Sequence, residues 1–574
     1  MRERSIFFLL LVAGAVLVRA QPTFQGTTTP TWEEVIARYT ELGDLYGGAR
    51  LMEIGHDDDG SPIHLFVIAD GSGSTPDSIR AAGKNILWIT NGIHPGEPDG
   101  IDASLLLARA LLDDDRLMGL TVHTAVCIVP VYNVSGARQR GPNSRVNQNG
   151  PEEYGFRGNA RNLDLNRDMM KADSRNAEAL IKALARWDPD IYFETHVSNG
   201  ADHRYVMELL TTHPDKLDPP VREFLSRSLL PALQEWMEAK EIPMCPYFEL
   251  IEDSPEEGMT AFVDGPRYST GYNALLGRIG ILSETHMLKP YADRVNATLQ
   301  LMLATLALMD RNRSELSAVK SMARQYIAST TDQGCNWKID TTRVTALDWK
   351  GFAHGTLPSA VSGLPRSHYD HDRPTRSTVP WMAHAVPTLL VRKPKAYIVP
   401  QAWRGLIERI AWSGAPMRML TADTSLNAEV MYIEQYNTVQ RPYEGHYLHY
   451  DITTTLRNET VRARAGDVLV PMGHGTDRLV VELLEPRASD GCFAWGFFDS
   501  ILQQKEWFSD YVFEDIAEGL LERDVALKAA LEARRAADPA FAQDAFAQLY
   551  FIYQRSPYFE PGFKRYPVVR VAGP

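Results

Sequence analysis

The sequence predicts an α/β fold with a mixed, mostly parallel sheet covered on both faces, and three observations carry that prediction. Short apolar runs bounded by turn residues recur at Ile63 to Ile68, Ile86 to Thr90, Val122 to Val131, Ile191 to His196 and Ile279 to Ser283, and such runs have the length and composition of buried strands. Helical spacing falls between them, over Ile101 to Leu112 and over Ala177, Leu180, Ile181 and Leu184, with Trp187 one turn on. The runs at Ile86 and Ile191 end in polar corners. In an open α/β sheet such corners lie at the carboxyl edge, where ligands bind.

Taken in order, Pro30 to Leu42 forms a helix ahead of the sheet, with Trp32, Val35, Ile36 and Tyr39 at helical spacing. After the run Ile86 to Thr90, Gly92, Pro95, Gly96, Pro98 and Gly100 forbid regular structure before the helix Ile101 to Leu112. Asp173-Ser174 caps the next helix and Asp188-Pro189-Asp190 stops it. Pro220 to Lys240 and Tyr291 to about Ser329 read as helical. From Trp337 the pattern changes: proline and glycine punctuate Gly355 to Pro380, and alternation over Tyr447 to Leu456 and Val468 to Pro471 indicates an antiparallel β region. Helical patterns return from Phe497 to Tyr553. The expected organisation is a leader at 1–20, an α/β domain at 21–335, a β-rich region at 336–480 and a mainly helical region at 481–574.

A chain of 574 residues exceeds what one core usually serves. Its 59 basic and 73 acidic side chains give a net charge of -14, which argues against a general affinity for nucleic acid or anionic membrane. Met1-Arg-Glu-Arg, the apolar run Ile6 to Val18 and Val18-Arg19-Ala20 have the form of a secretory signal peptide cleaved near Ala20. No later stretch reads as a membrane span. The expected address is therefore secreted or periplasmic. Four widely spaced cysteines, Cys127, Cys245, Cys335 and Cys492, suggest neither a disulfide framework nor a thiolate metal site.

The chemistry begins at His94-Pro-Gly-Glu97. Imidazole and carboxylate suit zinc, yet two ligands do not make a site, and alone the pair also reads as a loop histidine and a solvated glutamate. A third ligand should come from another strand end on the same edge. His196 closes its strand there, and His94, Glu97 and His196 give a His2Glu set of the kind that leaves one zinc position open. Glu284, at the end of the run from Ile279, is a carboxylate placed to act as a base, and His286 is a neighbour without a role. The segment Phe156 to Asp168 is dense in arginine and amide side chains, as a carboxylate-binding site requires. Ser367 to Asp372 has metal-like residue types but reads as a solvated, turn-like loop, and Phe493 to Phe498 reads as core.

These residues resemble the zinc carboxypeptidases related to carboxypeptidase A: HPGE for HxxE, DLNR at Asp164 to Arg167, the strand-end His196 and the strand-end Glu284, in the family's order, over roughly Trp32 to Ser329. The resemblance implies an α/β/α sandwich whose central mixed sheet has about eight strands. It implies one zinc per chain held by His94, Glu97 and His196, Glu284 as general base, and Arg157 polarising the scissile carbonyl. Asn166 and Arg167 would grip the terminal carboxylate of a peptide substrate, and Asp164 would hold a ligand imidazole by its far nitrogen. Asp168 departs from the family's pattern, which has a second asparagine there. Tyr268 and Tyr272 are candidates for the family's mobile tyrosine, both nearer to Glu284 than is usual. Arg267 could face an acidic side chain or solvent. The expected activity is secreted metallocarboxypeptidase; the rivals are a zinc amidohydrolase acting on acyl-amino acids or cell-wall peptides, and an inactive peptide-binding protein.

Overall fold

The computed structural model describes residues 23–572, so the expected leader at 1–20 lies outside the described residues. An eight-stranded mixed sheet is built from β1 (Ala49–His56), β2 (Pro62–Ile68), β3 (Asn85–Thr90), β4 (Thr124–Val129), β5 (Ile191–Ser198), β6 (Met207–Thr211), β7 (Met244–Pro246) and β10 (Ile279–His286), while β8 (Phe248–Leu250) and β9 (Met259–Ala261) join a neighbouring sheet. The order is β1-β2-β4-β3-β5-β10-β6-β7. Its centre, β4-β3-β5-β10, is parallel, and β10 pairs antiparallel with β6.

Alternation along β3 explains why both faces are covered. Ile86 and Trp88 join Leu65, Cys127 and Tyr192 in one core, where the helix Arg175–Trp187 packs through Ala177, Leu180, Leu184 and Trp187. Leu87 and Ile89 join Phe66, Ile128 and Phe193 in the other, under the helices Asp99–Asp113 and Tyr291–Arg311. Each large apolar side chain fully buried in this way contributes roughly 1.5–3 kcal/mol. Ser174 caps the helix Arg175–Trp187 by accepting from the Ala177 amide, and Asp188 ends it in the left-handed conformation (φ +49°). The strand expected from Val122 is shorter, because residues 119–121 form a helical turn before β4.

Two glycines let the corner after β3 form. Gly92 adopts φ +63°, and a Cβ on Gly100 would stand 2.0 Å from Thr195 Oγ1 on β5. The helix Asp99–Asp113 can therefore start directly against the strand that carries His196 only because residue 100 lacks a side chain.

Downstream, Thr345–Pro358 and Pro365–Met382 form a long hairpin that continues onto β9 and β8. Ser367 to Asp372 is thus strand rather than the expected loop. Its side chains remain largely exposed, and the pairing is carried by backbone partners such as Tyr369 with His354. A six-stranded sheet follows, in which Val569–Val571, after the helical tail, inserts between Ala396–Val399 and Thr424–Thr438. The helix Asp477–Leu484 straddles residue 480. Phe493, Trp495 and Phe498 are buried as core residues. All four cysteines are free and buried. No helix among the described residues is long and apolar enough to cross a membrane.

Candidate active site

Parallel strands end together, and that brings the polar corners to one place. His94 and Glu97 follow β3, while His196 on β5 lies directly opposite Glu284 on β10 in the parallel register. His94 Nδ1 stands 3.2 Å from Glu97 Oε2 and 3.1 Å from His196 Nδ1, and His196 Nδ1 stands 3.0 Å from the same carboxylate oxygen. All three side chains are at most 3% exposed. Ligands about 2.0–2.1 Å from a tetrahedral zinc lie about 3.3 Å apart, so this donor set fits a zinc ion.

The tautomers agree. His94 Nε2 donates to Asp164 Oδ1 at 2.9 Å and His196 Nε2 donates to Glu194 Oε1 at 2.6 Å. Each carboxylate accepts only, so the proton sits on Nε2 and the Nδ1 lone pairs point at each other and at Glu97. Acceptor atoms this close need a positive charge among them, either a metal ion or a further proton shared with Glu97. Although burial alone would lower it, His196 is pushed up to about 10 by Glu194, Glu97 and Glu284, and a divalent ion satisfies the same carboxylates. Glu97 is held well below the carboxylate range: burial would raise it, but His94, Arg145 and His196 prevail.

Glu284 is driven the other way. Burial, reinforced by Glu97 and Glu208 and opposed by His196 and Arg145, raises it to about 8. A carboxyl in that range can both accept and return a proton near neutrality.

The Phe156 to Asp168 segment closes one side. Arg157 Nε donates to Asp164 Oδ2 (2.9 Å) and its Nη1 reaches Glu97 Oε1 (3.4 Å), with the side chain as a whole 43% exposed. Asp164 is held far below the usual range: burial would raise it, but His94, Arg157 and Arg167 dominate. Asn166 Oδ1 is buried without a hydrogen-bond partner. Arg167 lies over the Tyr268 ring at 4.6 Å and donates through Nε to Tyr443 Oη at 3.1 Å. These groups share a cavity of about 460 Å³ with His94, Glu97, His196 and Glu284. Asp164 belongs to the support beneath it. Tyr268 lines the cavity; Tyr272 does not, being packed into the core at 3% exposure because its place on the helix Ser269–Ala274 faces the sheet. Arg267 is neither in the cavity nor free, since it pairs with Asp490 (2.7 Å) over the Tyr443 and Trp495 rings.

Four contributors were not read from the sequence. Glu194 holds His196 and also accepts from Ser269 Oγ; its signal was its place two residues before His196, on the same strand face. Arg145 clamps Glu97 Oε1 at 2.6 Å and the Val197 carbonyl. Tyr443 and Glu444 arrive from the downstream region, Glu444 accepting from the Asp164 amide at 2.7 Å, and nothing local marks them.

Residues 41–189 match the family model for zinc carboxypeptidase, a span that includes His94, Glu97, Arg157 and Arg167 and ends before His196. The chain is 21% identical over 460 residues to carboxypeptidase 2 of Trichophyton rubrum, covering 75% of this chain and 77% of that one. It is 22% identical over 437 residues to carboxypeptidase 2 of Trichophyton tonsurans, covering 71% and 73%. Among solved structures, a metallo-carboxypeptidase from Burkholderia cenocepacia aligns with 18% identity and a TM-score of 0.36, over 49% of this chain and 69% of that chain.

Proposed function

We propose that this chain, which carries a zinc carboxypeptidase domain, is an exported zinc-dependent carboxypeptidase that hydrolyses the last peptide bond of a substrate with a free C-terminal carboxylate. The supporting observation is that the His2Glu donor set, Glu284 and the Asn166-Arg167 pair line one cavity. His94, Glu97 and His196 would hold one catalytic zinc. When bound there, the ion supplies Lewis acidity toward a carbonyl and activates water near neutral pH.

The chain's own groups do the rest. Arg167, fixed by Tyr443 and Tyr268, offers its remaining N–H groups to the terminal carboxylate, with Asn166 beside it. That grip sets which carbonyl meets Glu284 and Arg157, so the last bond is selected by distance. Glu284 takes a proton from the attacking water and returns it to the leaving amine. Arg157, held by Asp164 and Glu97 yet partly open to the cavity, donates to the developing oxyanion. A donor of that kind contributes on the order of 3 kcal/mol to the transition state. Leu210, Tyr247, Phe262 and Leu282 form an apolar wall with the exposed Glu249 beside them. This wall suits an apolar or aromatic C-terminal side chain.

Glu284→Gln tests the assignment. The variant should keep the zinc content of the unsubstituted enzyme, measured by elemental analysis, and lose about 10²–10⁴-fold in kcat. Near-normal turnover would remove Glu284 from the reaction. Export rests on the leader pattern at 1–20; a mature N-terminus near Gln21 is the expected result of sequencing the secreted protein.

A further inference from the structure

A second cluster of the same composition lies one strand beyond Glu284. His203, Glu208 and His286 each offer a ligand atom within 4.8 Å of the others. The three side chains are 0%, 2% and 0% exposed. Glu208, on β6, is directly opposite Glu284 in the antiparallel pair with β10. His286 ends β10, and His203 stands in the loop before β6.

Partners within the protein do not complete this cluster. Glu208 Oε1 accepts from His203 Nε2 at 3.0 Å and from Ser198 Oγ at 2.7 Å. His286 lies against His203 with ring centroids 4.4 Å apart, and its buried Nε2 has no hydrogen-bond partner. Leaving such an atom unpaired inside the protein is unfavourable. Ligation through Nε2 would move each ring proton to Nδ1. There it displaces only long contacts from the amides of Tyr205 (3.3 Å) and Leu288 (3.4 Å).

The surroundings suit a buried ion. Tyr205, Phe248 and Trp349 ring His203 at centroid distances of 5.6, 6.0 and 5.4 Å. Trp349 comes from the downstream hairpin, which bridges His203 through Gly351 and accepts from the Arg204 amide through the Lys350 carbonyl. Lys289, the nearby cation, is paired with Asp202. Two imidazoles and one carboxylate in a dry pocket are zinc-type ligands.

We propose that His203, Glu208 and His286 bind a second divalent cation of the zinc type, which ties the loop carrying His203 to β6 and β10 beside the first cavity. The proposal does not depend on the peptidase reading.

The test is zinc stoichiometry of the full chain, equilibrated with excess zinc and then dialysed against a weak chelator. The unsubstituted protein should retain two zinc ions per chain. His286→Gln and His203→Gln, each checked for a folded circular dichroism spectrum, should retain one, and so should His94→Ala. One zinc per unsubstituted chain that His94→Ala removes, or an unchanged count in a folded His286→Gln, would overturn the proposal. Should both variants at the second site fail to fold, the count for the unsubstituted chain and its change in His94→Ala decide. A His94→Ala chain that keeps every ion would instead strike the catalytic site.

Discussion

At the scale of single residues, the rings of the His94–Glu97–His196 cluster are held by carboxylates outside it. Glu194 fixes the ring of His196 by its far nitrogen, as Asp164 fixes His94. Partners of this kind typically account for 10–100-fold in metal affinity. Glu194→Gln should therefore weaken zinc binding about 10–100-fold in a chelator competition, whereas unchanged affinity would show that the ring is oriented by packing alone. The candidate residues that the sequence names from strand ends or a compact motif, His94, Glu97, Asp164, Arg167, His196 and Glu284, lie in or directly beside one cavity. Glu194 could have been found by strand period. Tyr443 could not, because it reaches Arg167 across 276 positions and nothing in its own turn ties it to the ligand motifs. Of the two candidate tyrosines, Tyr272 lies in the core and Tyr268 lines the cavity, because an aromatic near Glu284 can face either and spacing alone does not say which.

Among the elements, β3, β5 and β10 were readable because strands buried on both faces are continuous apolar runs. The hairpin Thr345–Pro358 with Pro365–Met382 was not. Much of it is exposed on both sides and carries proline, so the period-2 signal that marks a half-buried strand is missing. The helix Asp477–Leu484 illustrates a burden that elements carry for packing. Burial, helped by Asp490 and opposed by Lys216 and Arg478, raises Glu482 from 4.5 to about 7. Between those values an unfolded chain releases a proton that the folded one keeps, so stability falls as pH rises and the loss is complete above about 7. Glu482→Gln removes that penalty, which is on the order of 3 kcal/mol. Its Tm should rise by a few degrees more at pH 8 than at pH 5; equal shifts at the two pH values would contradict the assignment.

For the whole molecule, the compositional change at Trp337 marks a new region but not an independent one. Cys335, Leu389, Tyr397, Leu406 and Phe493 belong to the same core as Trp88 and Leu180. Tyr443 and Glu444 support the cavity from that side. A fragment ending at residue 330 would bare half of this core, and it should show no cooperative thermal transition; a soluble fragment with a sharp transition would mean that the regions are separable. The central claim is that the cavity reads a terminal carboxylate and cuts beside it. Its most direct test compares two peptides differing only in a C-terminal acid or amide, each ending in phenylalanine, with products resolved by mass spectrometry. Release of the single terminal residue from the acid, with the amide cleaved at least about 100-fold more slowly, is the predicted result; equal cleavage of both, or cleavage at internal bonds, would contradict it.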